Sequence, residues 1–149
     1  MGPTLRRAVD SDVAAIAALT DRAYEKYVPR MGRKPQPMLT DYHEFIAHHI
    51  IWLLEVQQGI IGVLAIEFEP ETLLIYSVAI DPAQQRRGWG RLLLAHAEAE
   101  AKTAGYASIR LYTNALMEEN IALYTKLGYQ ETVREPFGNA VRVHMTKHL

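Results

Sequence analysis

The chain contains no cysteine, which excludes disulfides, thiolate metal sites and a cysteine nucleophile together. It also lacks an excess of either charge: 16 basic residues against 17 acidic ones leave a net charge of -1. That balance provides no global basic field, so no nucleic-acid partner is expected. Apolar runs reach only strand length, and Met1 to Arg7 has no apolar leader core, so neither a membrane span nor a targeting segment is expected. These absences point to a soluble cytoplasmic protein, monomeric or homodimeric. What is present is 49% hydrophobic residues over 149 positions, enough for one substantial core, and residues 1–149 read as a single domain.

The most informative stretch is Val78-Ala79-Ile80-Asp81-Pro82 running into Gln85-Arg86-Arg87-Gly88-Trp89-Gly90-Arg91. An apolar strand breaks, turns through glycines and becomes a helix. The first turn of a helix has N–H groups without intrahelical partners and carries partial positive charge, so it receives anions. Gly88 and Gly90 remove side chains that would hold a pyrophosphate away from that backbone. Arg86, Arg87 and Arg91 add mobile positive charge.

Periodicity places the other elements. Leu5 to Val9 reads as a strand, and Asp10-Ser11-Asp12 offers capping oxygens for a helix over Val13 to Tyr27, ended by Pro29. Arg30 to Met38 reads as a basic, proline-punctuated loop. Thr40 or Asp41 caps a helix reaching His49. Ile51 to Val56 and Ile60 to Phe68 form a hairpin around Gln57-Gln58-Gly59, followed by a strand over Leu73 to Ile80. A helix over Trp89 to Ala104 carries Glu98 and Lys102 as an i,i+4 pair on its solvent face. Ser108 to Thr113 reads as a strand, Met117 to Leu127 as a helix, and Tyr129 to Arg134 and Val141 to Thr146 as a final strand pair.

This order implies an α/β (α+β mixed) fold whose mixed sheet has helices on its faces. Leu73 to Ile80 lies near its centre. A helical crossover makes that strand parallel to Ser108 to Thr113, and ligands in such sheets bind beyond strand carboxyl ends, where Gln85 to Arg91 lies.

Spacing separates the phosphate-loop types. There is no Gly-Lys-Ser/Thr run for a Walker loop, and Leu93 stands where a dinucleotide fingerprint needs a small residue. The remaining pattern, Gln85-x-x-Gly88-x-Gly90, resembles the acyl-coenzyme A pyrophosphate loop of the GNAT superfamily of N-acetyltransferases. Ser77 to Pro82 is similar to that family's central strand, and Asn120-Ile121-Ala122-Leu123-Tyr124-Thr125-Lys126-Leu127-Gly128-Tyr129 to its second conserved helix. The resemblance implies a mostly antiparallel, twisted sheet of about seven strands with helices on both faces and a splayed parallel pair that binds the coenzyme.

The resemblance further implies acetyl-CoA as co-substrate, a primary amine of a small molecule or peptide as acceptor, and direct attack in a ternary complex. Val78, Ala79 and Ile80 then meet the pantetheine arm through their backbone. The N–H groups of Arg86, Arg87, Gly88, Trp89, Gly90 and Arg91 receive the pyrophosphate, with Gln85 opening the loop. Asn120 and Tyr124, four apart on one helical face, contact the arm and the sulfur respectively, which makes Tyr124 the candidate general acid for the departing thiolate.

The amine needs a base more than the thiolate needs an acid. At pH 7, leaving a thiolate of pKa near 8.5 unprotonated costs about 2 kcal/mol, whereas freeing an alkyl amine of pKa near 10.4 costs about 4 to 5 kcal/mol. Leu73 to Ile80 carries no carboxylate, the position from which some relatives supply a base. Glu67 and Glu69, at the end of the preceding strand, are therefore the catalytic candidates, acting directly or through water. Tyr76 is a candidate lining residue. The loop Arg30 to Met38 falls where this fold covers the amine, and Arg30, Arg33 and Lys34 favour an acceptor bearing a carboxylate or phosphate.

Two other classes stay open from sequence: a non-catalytic acyl-CoA-binding or interaction module of the same fold, and a nucleotide-dependent oxidoreductase. No metal site is expected. His43, His48 and His49 do not form His-Glu-x-x-His, and His144 and His148 carry no stronger signal.

Overall fold

The structure is a computed structural model that describes residues 2–149. Its strands are β1 (Thr4–Arg7), β2 (Ile50–Val56), β3 (Gly59–Phe68), β4 (Leu73–Ile80), β5 (Ser108–Asn114), β6 (Gln130–Phe137) and β7 (Ala140–His148). The helices are α1 (Val13–Tyr24), α2 (Tyr27–Met31), α3 (Tyr42–His48), α4 (Trp89–Thr103) and α5 (Glu118–Lys126). One seven-stranded sheet runs β1-β2-β3-β4-β5-β7-β6, with β4 in the middle. Every pairing is antiparallel except β4 with β5, as a helical crossover between those two strands requires.

The continuous apolar run of β3 follows from burial on both faces. Leu64 and Ile66 pack with Leu93, Leu94 and Ala97 of α4. The alternate residues Val63 and Ala65 pack with Ile16 and Leu19 of α1 and Phe45 of α3. Gly62 lets α4 come close: a Cβ there would lie 3.1 Å from both Ile80 Cδ1 and Leu93 Cδ1 and 3.2 Å from Leu54 Cβ. Leu54 and Leu93 are buried in the core and Ile80 packs against it, so a larger residue at this position pushes the helix off the sheet.

Four local expectations are corrected. The first helix ends at Tyr24, and Pro29 lies inside the separate α2 rather than after a longer helix. It occupies that helix's first turn, where a missing N–H leaves no bond unmade. Asp12 does not cap α1. Its carboxylate instead accepts from the Val9 N–H at 2.8 Å and from both Arg6 amino groups at 2.9 Å, which holds it below the usual carboxylate range. Glu98 pairs with Lys147 of β7 at 2.9 Å instead of with Lys102. Part of the basic loop is also ordered, with Arg30 and Met31 in α2 and Gln36–Met38 forming a 3₁₀ turn. The cap of α3 is Asp41, whose carboxylate accepts from the His43 and Glu44 N–H groups at 3.1 Å.

Candidate active site

β4 and β5 pair only at Leu73 with Ile109, Leu74 with Arg110 and Ile75 with Leu111. Beyond that point they diverge, because β5 continues along β7 to Asn114 while β4 follows β3 to Ile80. A bulge marks the fork: Ile66 faces Ile75 and Ala65 faces Ser77, so Tyr76 is an extra residue. Such an insertion bends a strand and increases its local twist.

The diverging edge of β4 carries backbone groups without a strand partner. The Val78 carbonyl accepts from the Tyr24 hydroxyl at 3.2 Å, and the Ile80 carbonyl from Gln85 Nε2 at 3.3 Å. Both bonds turn away from β3, so Val78 and Ile80 present their N–H groups to the same opening. Ala79, between them, points into the core beside α1 and faces Val63.

At the carboxyl end of β4, Asp81 closes the turn. Its backbone N–H bonds Ile61 at 2.9 Å, while its carboxylate accepts from the Ala83 N–H at 3.0 Å and from Arg22 at 2.9 Å. Burial pushes this carboxyl up, but the Ala83 N–H and the Arg22 guanidinium outweigh it and hold the pKa below its ordinary value. Arg86 at φ 66 and Gly88 at φ 83 then curl the chain into α4. A Cβ on Gly88 would meet nothing within 4 Å, so backbone conformation, not space, calls for glycine there. Among the described residues, the N–H groups of Arg86, Arg87, Gly88, Trp89, Gly90 and Arg91 have no acceptor within the protein. Arg86, Arg87 and Arg91 form no ion pair there either. Six consecutive free donors at a helix start, flanked by three cations, make an anion cradle of pyrophosphate size.

The other arm of the opening comes from α5. Asn114 organises its entry, its Oδ1 accepting from the Leu116 N–H at 2.8 Å and its carbonyl from Met117 at 2.9 Å. Asn120 therefore does not cap the helix, and its Nδ2 rests 3.6 Å from Met117 Sδ. Asn120 and Tyr124 line the cleft together with Tyr24, Val78 and Met117. Burial pushes the Tyr124 hydroxyl up to about 12, so it is a proton donor throughout the physiological range.

The cleft continues over the sheet face that α1 and α3 leave open. Arg33, Lys34, Gln36 and Pro37 border it on one side, and Tyr76, Tyr112, Phe137 and Arg142 on the other. Arg30 is not among them: it forks onto Glu119, with Nη1 and Nη2 at 2.5 and 3.1 Å, and also bonds the Leu116 carbonyl, pinning α2 to α5.

Glu67 in β3 and Glu69 just beyond its end have different surroundings. Glu69 is committed to Arg110, which donates Nε at 2.7 Å and Nη2 at 2.8 Å. Glu67 instead meets His49 Nε2 at 2.9 Å. The His49 ring lies 5.0 Å from that of Phe45, which lies 5.1 Å from Tyr76. Tyr76 in turn shares a 2.6 Å hydrogen bond with Thr40. Glu67 and His49 are thus linked through Phe45 to Tyr76, which lines the cleft, while neither Glu67 nor His49 is itself a lining residue. The three histidines of α3 and its C-cap disperse, His43 toward Asp10, His48 toward Glu44 and His49 toward Glu67. Among the described residues, no group of three metal-ligating side chains forms, and no helix is long and apolar enough to cross a membrane.

Sequence reasoning passed over Tyr24, Tyr112 and Arg142, and weighed His49 only as a metal ligand. His49 follows a helix end and Tyr24 sits in an apparently ordinary apolar stripe, so neither carries a local signal. Arg142 alternates with core residues in β7, which marks it only as facing the opposite side from Val143.

The family model described as an acetyltransferase (GNAT) domain matches residues 47–131, from the end of α3 to the start of β6. The [ribosomal protein bS18]-alanine N-acetyltransferase of Salmonella typhimurium is 38% identical over 71 residues, covering 47% of this chain and 48% of that protein. The chain thus matches about half the length of this curated relative. In fold, the structure resembles the PaiA N-acetyltransferase of Thermoplasma acidophilum in complex with coenzyme A, with a TM-score of 0.83, 15% identity and 100% of both chains covered. It also resembles the Escherichia coli ribosomal-protein-S18-alanine N-acetyltransferase, with a TM-score of 0.74, 21% identity and 98% and 93% of the two chains covered.

Proposed function

This chain belongs to the GNAT acetyltransferase family, and from that premise we propose that it transfers an acetyl group from acetyl-CoA to a primary amine by direct attack in a ternary complex. One observation carries the proposal: the β4 edge on which the Val78 and Ile80 backbone has no strand partner leads through the Asp81 turn into the free N–H run from Arg86 to Arg91. A phosphate-binding helix start joined to a strand edge suits a ligand with a pyrophosphate at one end and an amide-bearing arm at the other. A metal-free donor set fits as well, because the anion is received by amides and arginines alone.

In this reading each residue has a defined task. Arg86 to Arg91 hold the pyrophosphate, and Val78 and Ile80 pair with the arm, Ile80 giving up its bond to Gln85. The Val78 N–H is the donor available to the thioester carbonyl as negative charge develops on it. Asn120 steadies the arm, and Tyr124 supplies the proton to the leaving sulfur. Glu67, oriented by His49, takes the proton from the amine through water. Glu69 is the weaker candidate, because removing its fork with Arg110 leaves a half-buried guanidinium unpaired. The Salmonella typhimurium relative is named for an alanine of ribosomal protein bS18 as its acceptor, and an alanine amine belongs to this class.

The test is incubation of the protein with labelled acetyl-CoA and a panel of amines, amino acids and peptides. Amide product above the uncatalysed rate is expected with at least one acceptor. Thermal shift by acetyl-CoA but not by NAD is expected alongside. Binding of acetyl-CoA with no product on any amine favours the non-catalytic module, and stabilisation by NAD alone refutes the coenzyme assignment.

A further inference from the structure

Arg142 is a cation whose nearest carboxylate lies beyond hydrogen-bond reach. Its side chain is only 22% exposed, and its guanidinium carbon lies 4.2 Å from the centre of the Tyr112 ring and 4.0 Å from that of Phe137. The carboxylate beside it, Glu135, is 4.0 Å away at Oε1, and that oxygen is already engaged by His144 Nε2 at 3.0 Å. Among the described residues, Arg142 donates no hydrogen bond. Arg110, on the same sheet face and 29% exposed, forms a two-bond fork with Glu69. None of its nitrogens is fully buried, so its unpaired donors are open at the cleft. The two rings pack on the guanidinium by cation–π contact and offer its N–H groups no acceptor.

Those donors border the cleft, and so do Arg33 and Lys34, neither of which is ion-paired among the described residues. The Arg33 guanidinium lies against Gly138 in the turn between β6 and β7, which brings it to the strand pair that carries Arg142. This part of the open face therefore gathers three positive charges, of which only Arg142 has a carboxylate near it, Glu135 at 4.0 Å. Glu67, held by His49, acts on the Tyr112 hydroxyl from the same sheet face. This polarity is complementary to a zwitterion.

We propose that the acceptor is a small amino carboxylate whose carboxylate is gripped by Arg142, with Arg33 and Lys34 adding charge, and whose amine is turned toward Glu67. A planar carboxylate offers two oxygens at the spacing of the guanidinium fork, which a neutral amide does not reproduce. The sandwich between Tyr112 and Phe137 fixes the guanidinium plane in advance, so little side-chain entropy is lost on binding. The fate of the amine rests on the acetyltransferase reading above. The carboxylate grip does not.

Two measurements test it. The first compares initial acetylation rates for the twenty amino acids and their carboxamides. At least one acid is expected with a KM ten or more times lower than its amide. Arg142→Gln should raise that KM about tenfold or more, change kcat less than threefold and leave the amide's KM unaltered, with Arg142→Lys intermediate. The second needs no turnover: N-acetyl amino acids and their amides are titrated calorimetrically into wild-type protein saturated with CoA, and the acid should bind more tightly by a similar factor. Equal KM and equal affinity for acids and amides overturn the proposal, as does a preference that survives in a folded Arg142→Gln protein. Preferential binding of acids without turnover of any amine sustains the carboxylate grip and defeats the acetyltransferase reading instead. Acetylation confined to peptide N-termini, with no binding of single N-acetyl amino acids, refutes the small amino carboxylate.

Discussion

The Tyr24 hydroxyl donates a 3.2 Å hydrogen bond to the Val78 carbonyl, tying the last turn of α1 to the unpaired edge of β4. The bond crosses between two layers at the point where β4 loses its parallel partner, so it substitutes for a missing ladder bond. It also fixes the plane of the peptide that follows Val78. Tyr24→Phe is expected to lower unfolding free energy by about 1 kcal/mol, the net worth of an ordinary hydrogen bond, measured by urea denaturation. With the strand edge looser, kcat should fall about threefold to tenfold while acetyl-CoA affinity weakens less than fivefold. Tighter acetyl-CoA binding in the variant would instead mean that the hydroxyl competes with the ligand for the Val78 carbonyl.

How far the sequence carried this picture depends on the range of the interactions involved. The β3, β4 and α4 elements were legible because their burial imposes a local period, and β4 beside β5 followed from chain crossover. The anion cradle was legible for the same reason: Gln85 to Arg91 is a contiguous segment. Tyr24 with Val78, Glu67 with His49, and Arg142 between Tyr112 and Phe137 join residues distant in sequence, and nothing at either position announces its partner. The extra residue at Tyr76 was equally hidden, since a bulge is defined by two strands rather than one. Glu98 was misassigned because a helical neighbour was visible and a partner on β7 was not.

Gly88 and Gly90 should fail differently when enlarged. Gly88 holds φ 83, a conformation that costs an L-residue about 1–2 kcal/mol. Gly88→Val is therefore expected to lower both Tm and acetyl-CoA affinity. At Gly90 a Cβ meets only Ile80 Cγ1, at 4.0 Å, so Gly90→Val should leave Tm nearly unchanged and still weaken acetyl-CoA binding tenfold or more. Calorimetry for stability and equilibrium titration for affinity separate the two. Undiminished affinity in Gly90→Val would remove the cradle from ligand binding.

Acid should destabilise the fold partly through Asp12. Its carboxyl, forked by Arg6, titrates below its value in the unfolded chain. A group with a depressed folded pKa binds fewer protons in the native state, so its stabilising contribution is present above the unfolded value near 3.8 and is lost as pH falls through the folded one. Asp12→Asn should be less stable than wild type at pH 7, and the gap should close as pH falls below about 4. A gap independent of pH would show that the Arg6 fork contributes no protonation-linked stability.

In the proposed reaction Tyr124 and Glu67 serve opposite protons, and the two roles should be separable by pH. Burial holds the Tyr124 hydroxyl near 12, so it stays protonated at every pH where the protein is folded and leaves no limb in the rate profile between pH 6 and 10. Tyr124→Phe is expected to reduce kcat about tenfold to a hundredfold with acetyl-CoA affinity retained and the profile's shape unchanged. Glu67 is the proposed base for the amine, whose deprotonation at pH 7 costs more than the thiolate's protonation saves. Glu67→Gln should therefore lower kcat/KM more at pH 7 than at pH 9.5, where a larger fraction of the amine is already free. Glu69→Gln is the internal control: it breaks the fork with Arg110, so it should lower Tm while leaving the pH dependence of the rate as in wild type. A pH-independent loss in Glu67→Gln, or a pH-dependent one in Glu69→Gln, would move the base to a different carboxylate.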